Sequence, residues 1–340
     1  MNMISAVRTL ALGLAFVLAP GVSVAAKVFV ANEGSSSLTV VDAESYKLLA
    51  TVPVGRAPHN VQVSPDGKLA WLTTEGEPRQ AAGEHKGGHD AEGEPGAIWA
   101  VDTQTYAVTA KIAVGRHPAH VVITPDGRHA FVTNGGDNTV SVIDVQAGKT
   151  VGTIPVGEYP HGLRISPDGR EAYVANLKAG SVSVLDTVAM KEVARLPVGK
   201  GPAQTGFAPD GATVFVSLSG EDRVALIDRA SRKVLGKVAV GTGPIQLHAS
   251  RDGRWLLVAN QVTRQRPGKT VSVIDLGSRR LAKTLNTGRG AHGVAVDPNG
   301  RHAFVTNIYE NTISVIDIAG MKVVASVAVG KEPNGVSVQR

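Results

Sequence analysis

Short apolar runs punctuate the chain at nearly regular intervals. The clearest set is VFVAN (28–32), AWLTT (70–74), AFVTN (130–134), AYVAN (172–176), VFVSL (214–218), LLVAN (256–260) and AFVTN (303–307). Each is followed by a second apolar run that ends in Asp, such as VSVID at 140–144 and 271–275. These aspartates are Asp42, Asp102, Asp144, Asp186, Asp228, Asp275 and Asp317, spaced 60, 42, 42, 42, 47 and 42 residues apart. A third run closes on PVG or AVG. A fourth follows a Pro and usually ends in PDG, as in PHGLRISPDG (160–169). Short β-branched runs bounded by Gly, Pro and Asp read as strands.

Four strands in roughly forty residues, repeated seven times, predict an all-β fold, a seven-bladed β-propeller of four-stranded blades. The C-terminal PNGVSVQ (333–339) has the pattern of a first strand, and VFVAN that of a second. The C-terminal strand should therefore join the three N-terminal ones and close the ring, leaving no open edge. The PDG turns and strand-end aspartates read as architecture, because Asp bonds its own turn and Gly supplies φ > 0.

The YVTN-like strand, the VSVID strand, the PVG end and the Pro-led strand ending in SPDG together resemble the YVTN-repeat β-propeller family, a periplasmic, YncE-like and haem-propeller-like superfamily. The resemblance covers nearly all of 27–340. It implies the fold firmly and the activity only broadly. Similar architectures include the haem-binding propeller of periplasmic nitrite reductase, accessory proteins of quinone-dependent oxidation, lactonase-type propellers and periplasmic metal-binding propellers.

Residues 1–26 read as an export signal. Arg8 supplies the positive start, LALGLAFVL (10–18) a short apolar stretch, and small residues precede a cut near Ala25 or Ala26. Nothing later looks like a membrane span. The expected mature protein is a periplasmic or secreted monomer, one propeller domain over 27–340. Cysteine is absent, which excludes disulfides, thiolate metal sites and covalent c-type haem attachment. The net charge of +6 becomes +5 once Arg8 is removed with the leader. Its basic residues are scattered, so nucleic acid is not an expected partner.

Propeller topology sorts the histidines. The two residues just after the Pro (Ala291 in one blade) that opens each innermost strand include an imidazole or carboxamide in every blade. Four are His59, His120, His161 and His292; the others include Asn60, Gln204, Gln246 and Asn334. Four imidazoles at equivalent points of one ring suggest a metal site, and nitrogen ligands suit Zn or Cu. The bland reading is that each His only packs its own loop. Haem, with a ring His as axial ligand, is the alternative cofactor. His129 and His302 read as turn-packing residues on the opposite face, His248 as a core residue, and His117 as a rim residue of either kind.

The 60-residue spacing marks an insertion of about 18 residues at about 75–96, between the second and third strands of one blade and on the same face as the ring. It carries a net charge of −4 and includes GEHKGGHDAEGEPG (83–96). His85 and His89, with Glu84 and Asp90, are candidate outer metal ligands; a solvated insertion is the plainer reading. The 47-residue spacing adds a smaller basic loop, QVTRQRPGKT (261–270). No nucleophile elbow, phosphate loop or zinc-protease helix is present. The expectation is an exported, non-catalytic binding propeller for a small ligand or metal ion, or for a periplasmic protein. A redox accessory protein, an interaction scaffold and a lactonase-like enzyme are the rivals.

Overall fold

The computed structural model describes residues 26–77 and 94–339. The leader and the His/acid-rich core of the insertion, including His85 and His89, lie outside the described residues.

Twenty-eight strands form seven four-stranded antiparallel sheets. Blade 1 joins β1 (Lys27–Asn32), β2 (Ser37–Asp42) and β3 (Leu48–Pro53) to the last strand, β28 (Pro333–Val338). Blade 2 is β4 (Val61–Val63), β5 (Leu69–Thr74), β6 (Ala97–Asp102) and β7 (Val108–Ala113). Blade 3 is β8 (Pro118–Ile123), β9 (His129–Asn134), β10 (Thr139–Asp144) and β11 (Lys149–Pro155). Blade 4 is β12 (Pro160–Ile165), β13 (Glu171–Asn176), β14 (Ser181–Asp186) and β15 (Lys191–Pro197). Blade 5 is β16 (Pro202–Phe207), β17 (Thr213–Leu218), β18 (Arg223–Asp228) and β19 (Lys233–Ala239). Blade 6 is β20 (Pro244–Ala249), β21 (Trp255–Val262), β22 (Pro267–Asp275) and β23 (Arg280–Asn286). Blade 7 is β24 (Ala291–Val296), β25 (His302–Asn307), β26 (Thr312–Asp317) and β27 (Lys322–Ala328). The expected closure holds: β28 pairs with β1 in the register Val28↔Val338, Phe29↔Ser337 and Val30↔Val336.

The apolar pattern explains the packing. Second and third strands are buried on both faces because a neighbouring blade covers each face. Phe131, fully buried, sits in the cluster that joins blades 3 and 4 with Val142, Leu163 and Val174. Truncating such a ring to Ala costs about 3–5 kcal/mol. The outermost strands are mostly exposed, as in β11.

The repeated polar letters have specific tasks. Asn closes the second-strand run in five of the seven blades and ties down the third: Asn176 Nδ2 donates to Ser181 Oγ at 3.1 Å and to Ser183 Oγ at 2.9 Å. Asn134 and Asn307 repeat this with a Thr and a Ser each. The Gly of PVG lies against the same amide. A Cβ on Gly157 would stand 2.6 Å from the Asn176 carboxamide, so only glycine allows the approach. The strand-end aspartates cap their turns, as where Thr105 N donates to Asp102 Oδ1 at 2.7 Å. In the PDG turns, Ser166 Oγ donates to Asp168 Oδ1 at 2.6 Å.

Candidate metal centre at the channel mouth

The innermost strands β4, β8, β12, β16, β20, β24 and β28 neighbour one another in a closed ring. Their openings carry the histidines, and the local backbone is irregular there. In β8, β12 and β24 the ladder to the second strand slips between Pro118 and Val121, Pro160 and Leu163, and Ala291 and Val294. In blade 2 the ladder begins only at Val61, after His59. A bulge frees a residue pair from the ladder and re-aims its side chains. Here the freed positions include His120, His161 and His292.

The Thr of the YVTN-like strand pins these bulges. His120 N donates to Thr133 Oγ1 at 3.0 Å, and that hydroxyl donates to the His161 carbonyl at 2.6 Å. One side chain thus fixes the backbone of two histidines in adjacent blades. Thr306 does the same between Gly293 N and the Asn334 carbonyl.

The ring does converge. The His59 and His161 Nε2 atoms are 3.3 Å apart, and one nitrogen from each of His59, His120 and His161 lies within 4.8 Å of the others. His292 stands beside them, its ring centroid 6.1 Å from that of His59, but it does not complete the trio. The expected set of four is therefore three plus one.

Partners on the far side of each ring orient the nitrogens. His161 Nδ1 donates to the Ala203 carbonyl at 2.9 Å, which leaves Nε2 as a lone pair facing the cluster. Asn334 Nδ2 lies 3.0 Å from His59 Nδ1 and donates to Glu33 Oε2 at 2.6 Å; Glu33 Oε2 is itself 3.5 Å from His59 Nδ1. Gln261 Oε1 accepts from His292 Nδ1 at 2.9 Å. His120 is fully buried, and neither of its nitrogens has a hydrogen-bond partner among the described residues. His292 Nε2 also lacks one. Leaving a buried polar atom unpaired costs about 1–3 kcal/mol.

Electrostatics favours neutral rings. Burial holds His120 and His292 well below the usual imidazole range, and neighbouring positive charge adds to the effect. Burial, then the charge of His59, lowers His161 to about 4. Burial would raise the Glu33 carboxyl, but hydrogen bonding and charge from His59, with the Asn334 bond, outweigh it and hold it at about 2. Burial thus keeps His120, His161 and His292 neutral beside one carboxylate.

Three placements were not legible from the repeat. Gln261, in the longer basic loop, orients His292. Arg164, three residues past His161, bonds the Gln204 carboxamide oxygen through both Nη atoms at 2.9 and 3.0 Å. Glu33, from a single turn after β1, supports His59. A polar residue in an innermost strand was the available signal for Arg164. One expectation is corrected: His248 is exposed on its innermost strand rather than in the core, accepting from Val296 N at 3.1 Å. Inner-strand backbone donors need acceptors from the neighbouring blade, and His248 supplies one. His302 packs against Tyr46 and Asp297, as a turn residue should. His117 pairs with Glu75 at 3.4 Å on the rim. Glu75 also pairs with Arg56, so the base of the insertion stands beside the segments leading to β4 and β8.

The fold is a closed seven-bladed ring with a trio of imidazoles, His120 buried and His59 and His161 half-buried, at its opening. The family of YncE-like beta-propellers matches residues 96–249 and 245–339, and the chain belongs to it. Antigen Lp49 of Leptospira interrogans is 26% identical over 116 residues, 34% of this chain. That match spans only 25% of the length of Lp49. Among solved structures, Kuenenia stuttgartiensis hydrazine synthase is similar with a TM-score of 0.67 and 24% identity over 82% of this chain and 89% of that one. The dihydro-heme d1 dehydrogenase NirN, solved in complex with DHE, gives a TM-score of 0.65 and 16% identity over 91% of this chain and 74% of that one. At these identities the likeness is one of fold. Among the described residues, no helix is long and apolar enough to cross a membrane.

Proposed function

We propose that this protein is an exported, non-catalytic propeller that holds a transition metal, Zn or Cu, through His59, His120 and His161. One observation carries the reading: three ring nitrogens, two of them 3.3 Å apart, face one another within 4.8 Å. Two nitrogens bound to one tetrahedral ion at 2.0–2.1 Å would stand about 3.3 Å apart. The His59–His161 pair already has that spacing, and a His120 nitrogen lies within 4.8 Å of both. His120 and His161, held neutral by burial, bind without first losing a proton. Glu33 can accept from His59 Nδ1 once Nε2 turns to the ion, the carboxylate–histidine–metal arrangement that raises ligand basicity. Three protein ligands leave a fourth position open.

His292 is the reserve fourth ligand. His85 and His89, with Glu84 and Asp90, are proposed as outer capture ligands, in the insertion whose first residue, Glu75, stands on that rim. The leader over 1–26 would deliver the protein to the periplasm, where it would work as a monomer.

Metal content after purification from the periplasm, followed by Zn and Cu titration, tests the reading. The expected result is one tight ion per chain. It is lost in His120→Ala and kept, with slower uptake, when 83–96 are deleted. Affinity no better than that of an unrelated His-bearing protein would overturn it.

The second reading is an axial His for haem, which the likeness to NirN favours. Convergence of three nitrogens on one point suits a small ion better than one face of a macrocycle. An absorbance band on adding haem, abolished in His59→Ala, would reverse that preference.

A further inference from the structure

Arg164 is the one residue of β12 whose charge the metal reading does not use. It stands on the innermost strand, and its charge is felt at His120. Its hydrogen bonds are few. Nη1 donates to the Leu163 carbonyl at 2.8 Å, and Nη1 and Nη2 both donate to the Gln204 carboxamide oxygen. Among the described residues no carboxylate pairs with it, whereas Arg116, Arg195 and Arg229 each hold one.

The geometry of the fork matters here. A guanidinium carries five N–H groups in a fixed plane. Gln204 takes the end formed by the two Nη atoms. The lateral edge, Nε–H with the remaining Nη2–H, has no acceptor among the described residues. That edge matches the two oxygens of a carboxylate.

Gln204 is itself held firmly. Its backbone N–H donates to Ser217 Oγ at 3.0 Å, and its carboxamide packs on Gly162, where any Cβ would collide with it. Arg164 is therefore braced on one edge and open on the other, next to the trio.

Charge points the same way. Arg164 and Glu33 carry opposite charges that offset one another. A divalent ion on the trio would leave the opening about two charges positive, a surplus an anion relieves.

We propose that the space beside the histidine trio is an anion site, in which the lateral edge of Arg164 takes a small carboxylate. When an ion is bound, that carboxylate occupies or adjoins its open position. The Arg164 clamp stands on its own; only the coupling to the ion rests on the metal reading.

Formate is the probe. The Arg164 Nε–H resonance in 15N-labelled protein, identified by its loss in Arg164→Lys, is followed during formate titration of the metal-free and zinc-loaded forms. A saturable shift is expected in both, with formate binding at least tenfold tighter when zinc is present. Chloride, a single acceptor that cannot give each N–H its own oxygen, should compete weakly. Gln204→Glu keeps the shape but places a carboxylate against the guanidinium, and should weaken formate tenfold or more even if Arg164→Lys fails to fold. Zinc uptake with no formate response in either form overturns this inference and leaves the metal reading standing. A saturable response without zinc uptake supports the anion site and overturns the metal reading.

Discussion

Thr133 offers the sharpest test of how the repeat builds the site. Its hydroxyl accepts from His120 N at 3.0 Å and donates to the His161 carbonyl at 2.6 Å. Thr133→Val keeps the shape and removes both bonds. Two buried backbone groups then lose their partner, at about 1–3 kcal/mol each, partly offset by the added methyl, so a net loss of about 2–4 kcal/mol is expected. At about 2 cal/mol/K per residue, unfolding entropy for a body of this size converts that to a fall in melting temperature of about 3–6 °C. The fold should survive, because Ala175 and Ala259 hold the equivalent place in blades 4 and 6. The functional effect should be larger than the thermal one suggests. Both bulges carry proposed ligands, and loosening what positions a ligand typically costs 10–100-fold in metal affinity. Ser217→Ala is the control: it removes a bridge between Gln204 N and the Ile245 carbonyl, neither of which belongs to a proposed ligand. Melting curves of metal-free protein and zinc titrations of all three proteins decide the matter. If Thr133→Val melts early but binds zinc like the parent, or if Ser217→Ala weakens zinc equally, the hydroxyl serves only the fold and the reasoning fails.

Glu33→Gln should weaken zinc about 10–100-fold without changing the number of ions bound, since it alters the support of His59 and not a ligand; calorimetry reads both quantities. Metal-free protein should lose stability as pH falls from 6.5 toward 4. His161 stays neutral in the fold down to about 4, whereas the unfolded chain takes up that proton near 6.5. The unfolded state binds more protons across that window, for a loss of up to about 3 kcal/mol. Urea midpoints at pH 7, 5.5 and 4.5 measure it, and His161→Gln should remove that share of the slope while leaving the part that His120 and His292, also held low by burial, contribute. Gly157→Ala should destabilise by about 1–3 kcal/mol, because its Cβ would meet the Asn176 carboxamide at 2.6 Å. A melting temperature equal to the parent's would show that the amide can move aside.

What could be read in advance followed from repetition. Each blade meets the same packing problem, so the same letters recur, and seven aligned copies expose strand order, ring closure and turn chemistry without any long-range contact being known. Alignment also placed His59, His120, His161 and His292 at equivalent points. It could not say that they meet, because that depends on bulges whose geometry is set by Thr133 and Thr306 hydroxyls reaching into the next blade. Nor could it separate His292 from the other three, since that depends on Gln261, which lies in the loop where blade 6 departs from the repeat. The misplacing of His248 has the same origin: a mid-strand position reads as core in most sheets, but in an innermost strand half of such positions face the axis. Arg164 shares that layer, and so do Gln62 and Ser337, which accept from Ile123 N and Val63 N in the following blade. The departures from the repeat, more than the repeat itself, are where this chain's own chemistry collects. Arg164 stands where Gln62 and Ser337 spend their side chains on backbone, and its lateral edge is spent on nothing in the fold.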